Sequence, residues 1–456
     1  MRSEKNLPGL PNGIEPYDWA LKQLRTKAAH KITKGSKNLV VAVIDLGYTH
    51  HPCMEGHLWE NPNKPEHGWD CADDDASLEN NDDSGYHNYK NGHHVFVAGE
   101  VASMAPKCPI MIVRVGYMNP DSWWMGIRYA VDHGAKVLVM PHGYLTGNKS
   151  NGTALFYQGA DFTFPSDNVQ IREAIEYAYD NNCLIVRGVA GNRGRRVATA
   201  MGFDAILNMG SSNRHDKPAN ICCSADYTEI GAPGGQRGTG IDQDTIWGYG
   251  PDENYISFTG GCMASGFGGG AAALVWSQFP KLSNDEVRQV LRNTARPVSY
   301  IAYDNDDWEP RLGYGIVDVG KAVSLKKEEL CRNVHLIPDS VKVIEKTARY
   351  FLEATVENKG VFDAGKALII VFNGDPCQPA DPNATREKPA PELQTCQIGH
   401  TITRVRGFHK TEIKIELLFG LMEEFKPFKP EGEVWVEIFY LDRHDKSDAN
   451  YMKLKL

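Results

Sequence analysis

Two hydrophobic periods follow one another along this chain. In the first two thirds, short apolar runs recur at residues 39–44, 110–115, 136–140 and 184–186. Each is apolar on both faces, the pattern of a strand buried inside a parallel sheet. Between them, residues 123–131 and 171–179 repeat their apolar positions at helical spacing. Gly134 follows the first of these helices as its C-cap. Ser283-Asn284-Asp285-Glu286 is a capping box that opens a helix over 287–291. Strands alternating with helices predict an α/β architecture, a mostly parallel sheet flanked by helices.

Near residue 326 the period changes. Lys326-Lys327-Glu328-Glu329 is a charged link, and beyond it residues 411–417 alternate strictly and 433–439 loosely. Period two in short segments predicts an antiparallel β-sandwich. The expected organisation is an N-terminal extension over 1–36 packing on the domain that follows it, an α/β domain over 37–327, a linker over 328–341 and the sandwich over 342–456. Residues 374–394, rich in Pro, Asp and Glu, read as a loop. Ala354-Thr355-Val356-Glu357-Asn358-Lys359-Gly360 faintly resembles bacterial immunoglobulin-like adhesion modules.

Composition narrows the partners. The chain has 456 residues, 41% of them hydrophobic, enough for a large core. With 49 basic against 58 acidic residues, the net charge of −9 argues against a nucleic-acid or anionic-membrane partner. No apolar run is long enough to span a membrane. The N-terminus lacks the apolar segment of a signal peptide, so a cytoplasmic protein is expected, or a secreted one if an upstream segment has been removed. Ten cysteines show no paired spacing and read as reduced thiols, with Cys377 and Cys396 the best candidates for a disulfide.

Four segments carry candidate chemistry. The strand Leu39-Val40-Val41-Ala42-Val43-Ile44 ends in Asp45-Leu46-Gly47. Gly92-His93-His94-Val95-Phe96-Val97-Ala98-Gly99 opens a helix. Val189-Ala190-Gly191-Asn192 follows a strand. Thr259-Gly260-Gly261-Cys262-Met263-Ala264-Ser265 leads into a run of small residues. In this order the four resemble the motifs of subtilisin-like serine proteases, over roughly residues 15–325. The resemblance implies a peptidase acting on peptide or protein substrates, with no cofactor required for its chemistry. Asp45 would orient His93, His93 would be the general base, and Cys262 would stand at the nucleophile position. Asn192 would donate its amide to the oxyanion. Pro141, His142, Gly143, Val189, Ala190 and Gly191 would line the substrate cleft. His94 rivals His93, and counting back from Val97-Ala98-Gly99 selects His93.

Several residues depart from the family pattern. The nucleophile is a thiol, and Gly261 and Gly266 replace a Thr and a Pro, leaving room around the sulfur. Leu46 removes a hydroxyl beside Asp45. Cys53 stands where relatives carry a calcium-ligand Asp, and its sulfur argues against calcium there. Arg187 interrupts an apolar strand and needs a partner. The acidic run Asp73-Asp74-Asp75 with Asp82-Asp83 reads as a solvated loop. Three readings of Cys262 stay open: a working Asp-His-Cys acyl-transfer enzyme with weak amide hydrolysis, a silent pseudoprotease that binds peptides or partner proteins, and a laboratory Ser-to-Cys variant of a serine endopeptidase.

Overall fold

The computed structural model describes residues 9–64, 66–78, 92–116, 119–141, 169–189, 205–222, 225, 227–298, 311–373, 396–419, 426–427, 429–430, 433–440 and 450–455. The chain forms two compact units, Met1–Ser324 and Leu325–Leu456.

The first unit is built on a seven-stranded sheet. Its strands are β1 (Val40–Asp45), β2 (Gly68–Asp70), β3 (Ile110–Arg114), β4 (Ala135–Met140), β5 (Leu184–Gly188), β6 (Ile206–Ser212) and β7 (Ile230–Pro233). The spatial order is β2-β3-β1-β4-β5-β6-β7 and every pairing is parallel. The apolar runs of the sequence are β1, β3, β4 and β5, and Val41, Val43, Ile110, Ile112, Val137 and Val139 are all fully buried. From β1 the chain goes to the edge strand β2, returns to β3 beside β1, and then crosses to the other side at β4. That reversal puts the carboxyl end of β1, and Asp45 with it, at the topological switch point where open α/β sheets place their sites.

Helices α1 (Asp18–Gln23) and α2 (Thr26–Ala29) precede the sheet. Those covering it include α3 (His93–Met104), α4 (Pro120–Asp132), α5 (Val169–Asp180), α6 (Gly261–Gln278) and α7 (Asn284–Thr294), and α8 (Val319–Val323) packs on α2, α6 and α7. The capping box operates at α7: Ser283 Oγ accepts from Glu286 N at 3.2 Å, and the Glu286 carboxylate accepts from Ser283 N at 2.8 Å. Strands β8 (Ile246–Tyr249) and β9 (Tyr255–Phe258) form an antiparallel hairpin just before α6. The small residues of α6 bring it hard against the sheet, and a side chain at Gly269 would collide with Val139. The N-terminal segment is tied to the unit by Tyr17. Its hydroxyl donates to Phe96 O at 3.0 Å and accepts from Tyr249 N at 2.9 Å.

The second unit is antiparallel. Its strands are β10 (Val334–Leu336), β11 (Lys342–Lys346), β12 (Arg349–Asn358), β13 (Ala364–Asn373), β14 (Cys396–Val405), β15 (Lys410–Phe419), β16 (Lys426–Pro427), β17 (Glu433–Tyr440) and β18 (Asn450–Lys455). One sheet runs β10-β12-β15-β16 with β11 also on β12, and the other runs β14-β13-β17-β18. Alternate residues of both, among them Leu352, Val356, Ile369, Val371, Ile415 and Val436, share one apolar core. Residues 328–341, expected as a linker, contain β10. Val334 and Leu336 are buried in that core, so the unit's packing starts before residue 342.

Candidate active site

The site assembles from one strand end and two helix starts. Asp45 closes β1 with no exposed surface. One carboxylate oxygen accepts from the backbone N–H of Leu46 at 2.9 Å, so the main chain supplies a donor beside a side chain that has no hydroxyl. The other oxygen accepts from His93 Nδ1 at 2.6 Å. His93 is the first residue of α3. Gly92 before it holds a left-handed φ of 83°, and a side chain there would strike Pro251. The imidazole is 6% exposed and meets Phe258 edge-on, centroids 5.4 Å apart.

Cys262 is the second residue of α6 and is part-exposed. Its thiol hydrogen-bonds to His93. Burial by itself would lower the His93 pKa, but the Asp45 carboxylate and the bonds to Asp45 and Cys262 outweigh it and lift it to about 10. The imidazolium is thus favoured between two acceptors. A thiol in hydrogen-bond contact with that cation, at the positive end of an 18-residue helix, has the surroundings that generate a thiolate.

His94 takes no part in this. Its Nε2 bonds to Val43 O at 3.0 Å, away from the thiol, and burial lowers its pKa to about 4. Pro141 and Val189 lie buried at the ends of β4 and β5. Val189 carries its carbonyl against Gly261, one residue before the thiol, where no Cβ would fit. His142, Gly143, Ala190, Gly191 and Asn192 fall outside the described residues.

The remaining sequence candidates have other employment. Arg187 is buried within β5 at 5% exposure, in register with Met140 and Asn208. Asp73 pairs with Arg114 at 2.7 Å and Asp74 accepts from Trp69 Nε1 at 3.3 Å, so part of the acidic run is folded back on the protein. Asp82 and Asp83 lie outside the described residues. Cys53 is exposed, its sulfur 3.6 Å from Tyr255 Oη. A thiol does not fit a calcium ion, and among the described residues no three His, Cys, Asp or Glu converge to hold a metal. Cys53, Cys71, Cys108, Cys183, Cys222, Cys262 and Cys331 are thiols rather than halves of disulfides. Cys377 and the side chain of Cys396 are outside the described residues. Two side chains next to the site escaped the sequence reading. Phe258 has no motif to flag it, and Glu100 is visible only as an acid in an otherwise apolar helix.

Comparison with known proteins places this geometry in a lineage. The Subtilase family model matches residues 36–315. Thermitase of Thermoactinomyces vulgaris is 26% identical over 308 residues, covering 62% of this chain and 92% of that protein. Fervidolysin of Fervidobacterium pennivorans is 25% identical over 356 residues, 69% of this chain and 46% of the relative. Among solved structures, a protease from Pseudoalteromonas arctica superposes with a TM-score of 0.52 at 22% identity, over 70% of this chain and 99% of that one. The parallel sheet and a family model running across all four sequence segments make this chain a member of the subtilase family, with a peptidase fold.

Proposed function

We propose that this chain is an Asp-His-Cys peptidase that makes and transfers peptide acyl groups, with weak amide hydrolysis. The observation that carries the reading is His93, hydrogen-bonded to Asp45 on one side and Cys262 on the other. Asp45 holds the Nδ1–H and stabilises the imidazolium. His93 Nε2 takes the thiol proton, and the sulfur attacks the carbonyl carbon. The oxyanion is met by the backbone N–H of Cys262 and the Asn192 amide. Collapse expels the leaving group, which takes the proton back from His93, and leaves a thioester on Cys262.

Sulfur changes the partition of that intermediate. A thiolate leaves more readily than an amide nitrogen, so attack on an amide mostly reverses, whereas an activated ester acylates the enzyme. The thioester then reacts with amines in preference to water. A cleft that binds peptide on both sides of the bond brings such an amine to it. The room expected from Gly266 is not open beside the sulfur, because the Glu100 carboxyl fills it.

The substrates are peptides or proteins, and no cofactor enters any step. No helix among the described residues is long and apolar enough to cross a membrane. The cytoplasmic placement expected from the N-terminus finds no support in the comparisons, and the secreted alternative fits them.

The test compares a peptide amide, the matching ester, and the ester with an amine peptide, using the protein as it is, Cys262→Ser and Cys262→Ala. Ester turnover and peptide transfer that vanish in Cys262→Ala are expected. Equal rates for the Cys and Ala forms would instead make the cleft a silent peptide-binding site. Strong amide hydrolysis confined to Cys262→Ser would mark a serine endopeptidase fold carrying a substituted nucleophile.

A further inference from the structure

Helix α3 turns a second polar side chain inward that the chemistry above does not use. Glu100 lies seven residues after His93, two turns along the same helix face. It has no exposed surface, and neither carboxyl oxygen has a hydrogen-bond partner among the described residues. Both residues address α6. His93 meets Cys262, and Glu100 Oε2 occupies the space in which a Cβ at Gly266 would stand. Gly266 is one turn further into α6 than Cys262. The carboxyl therefore rests in a cradle that exists because residue 266 has no side chain.

An unpartnered carboxyl in the interior is costly as an acid and far more costly as an anion. Nothing in the packing calls for it, since an apolar side chain would fill the same space. Groups of this kind concentrate at functional sites. The titratable groups that face it are Cys262 on α6, Tyr17 from the N-terminal segment and, beyond Tyr17, Tyr249 on β8. Burial holds the Glu100 carboxyl well above the ordinary carboxylate range, and negative charge on Cys262 pushes it the same way. Burial also raises Tyr17, with Glu100 adding to the effect, so that phenol stays neutral.

We propose that Glu100 is a positioning residue for the nucleophile: it stands as a neutral acid behind Cys262, so that thiol and carboxyl share one negative charge, held on sulfur, and ionisation of Glu100 switches the site off. The inference deepens the reading of Cys262 as a nucleophile and rests on it. The switch is a proton equilibrium alone. Glu100 gives its O–H proton to solvent, and no bond to substrate forms or breaks. Acylation builds an oxyanion next to the sulfur, and a carboxylate in the same low-dielectric pocket opposes both charges.

Two measurements decide it. The first is the pH profile of Cys262 acylation by an activated peptide ester, in the unsubstituted protein and in Glu100→Gln. The alkaline limb should move up by about one pH unit in Glu100→Gln, the acid limb staying in place. The second uses infrared difference spectra. The carbonyl stretch of a protonated acid should be present near neutral pH, missing from Glu100→Gln, and lost at lower pH once iodoacetamide has capped Cys262. This titration needs only the unsubstituted protein, so it stands even if Glu100→Gln does not fold. Superimposable alkaline limbs, no protonated-acid band near neutral pH, or a band unmoved by capping would each overturn the proposal while leaving a reactive thiol. Failure of Cys262 to react with either reagent in any form is a different result, and it removes the nucleophile reading together with the inference.

Discussion

His94 donates its Nε2–H to the carbonyl of Val43 at 3.0 Å, and that bond explains why two consecutive histidines open α3. Val43 lies in β1 two residues before Asp45. Both histidines therefore reach the same strand, His93 through the Asp45 side chain and His94 through the backbone. The second ring is 1% exposed and lies edge-on to Tyr48, centroids 5.8 Å apart. It is a neutral staple between helix and strand, while its neighbour is held as a cation.

Substituting the two should separate the roles. In His93→Ala, alkylation of Cys262 by iodoacetamide near neutral pH should fall ~100-fold, the scale of a lost acid–base partner. In His94→Gln the rate should stay within about threefold, while stability drops by ~1 kcal/mol for the weakened staple. Alkylation kinetics with denaturant unfolding of each variant give both numbers. The opposite pattern would transfer the base to His94.

The buried His94 also sets an acid limit on stability. Burial depresses its pKa from 6.5 to about 4 in the folded state. Between those values the unfolded chain carries a proton that the folded chain does not. Stability from this group is complete above 6.5 and is lost as pH falls through 4. At 1.36 kcal/mol per pH unit the contribution is at most ~3 kcal/mol. Unfolding free energy measured between pH 7 and pH 4 should decline less steeply in His94→Gln. Parallel declines would mean that the ring titrates normally.

Tyr17 makes a similar case for the N-terminal segment. Its hydroxyl bonds to Phe96 O and to Tyr249 N, and its ring meets Phe96, Tyr249 and Phe267 edge-on. Tyr17→Phe keeps the rings in contact and deletes both hydrogen bonds, leaving a buried donor and a buried acceptor to find other partners. The expected loss is ~2 kcal/mol in denaturant unfolding. A change below ~0.5 kcal/mol would show that the segment contributes packing alone.

What the sequence disclosed follows from how each signal is generated. Strands β1, β3, β4 and β5 are continuous apolar runs because both faces are covered, so burial writes them directly into composition. Strand β6 is buried throughout as well, yet it reads Ile-Leu-Asn-Met-Gly-Ser-Ser. Its polar residues are satisfied locally and by distant partners: Asn208 Nδ2 donates to Ile206 O, and Ser212 Oγ to Gln23 Oε1. No periodicity could announce that. Strands β2 and β10 are three residues each, too short to carry a period. Asp45, His93 and Cys262 were legible because each sits in a motif with its own local geometry. Glu100 was not, because one acid on a helix ordinarily faces water. Only the absent side chain at Gly266, 166 positions later, turns it into an interior group.

That pairing gives the sharpest structural prediction. Gly266 is in the body of α6, where alanine is the better helix former by about 1 kcal/mol. On propensity alone Gly266→Ala should stabilise the protein. The added methyl would overlap Glu100 Oε2 and press on Val97 Cγ1 at 3.1 Å, and such overpacking costs about 1–3 kcal/mol. The second effect should win, for a net loss of about 1 kcal/mol. In a Glu100→Ala background the carboxyl is gone, the methyl has space, and the sign should reverse toward the propensity gain. The four proteins of the cycle, compared by denaturant unfolding, should therefore show an interaction energy of about 2 kcal/mol between positions 166 residues apart in sequence. Additive effects would mean that Glu100 swings clear of α6 without cost. The cradle would then not hold the carboxyl behind Cys262.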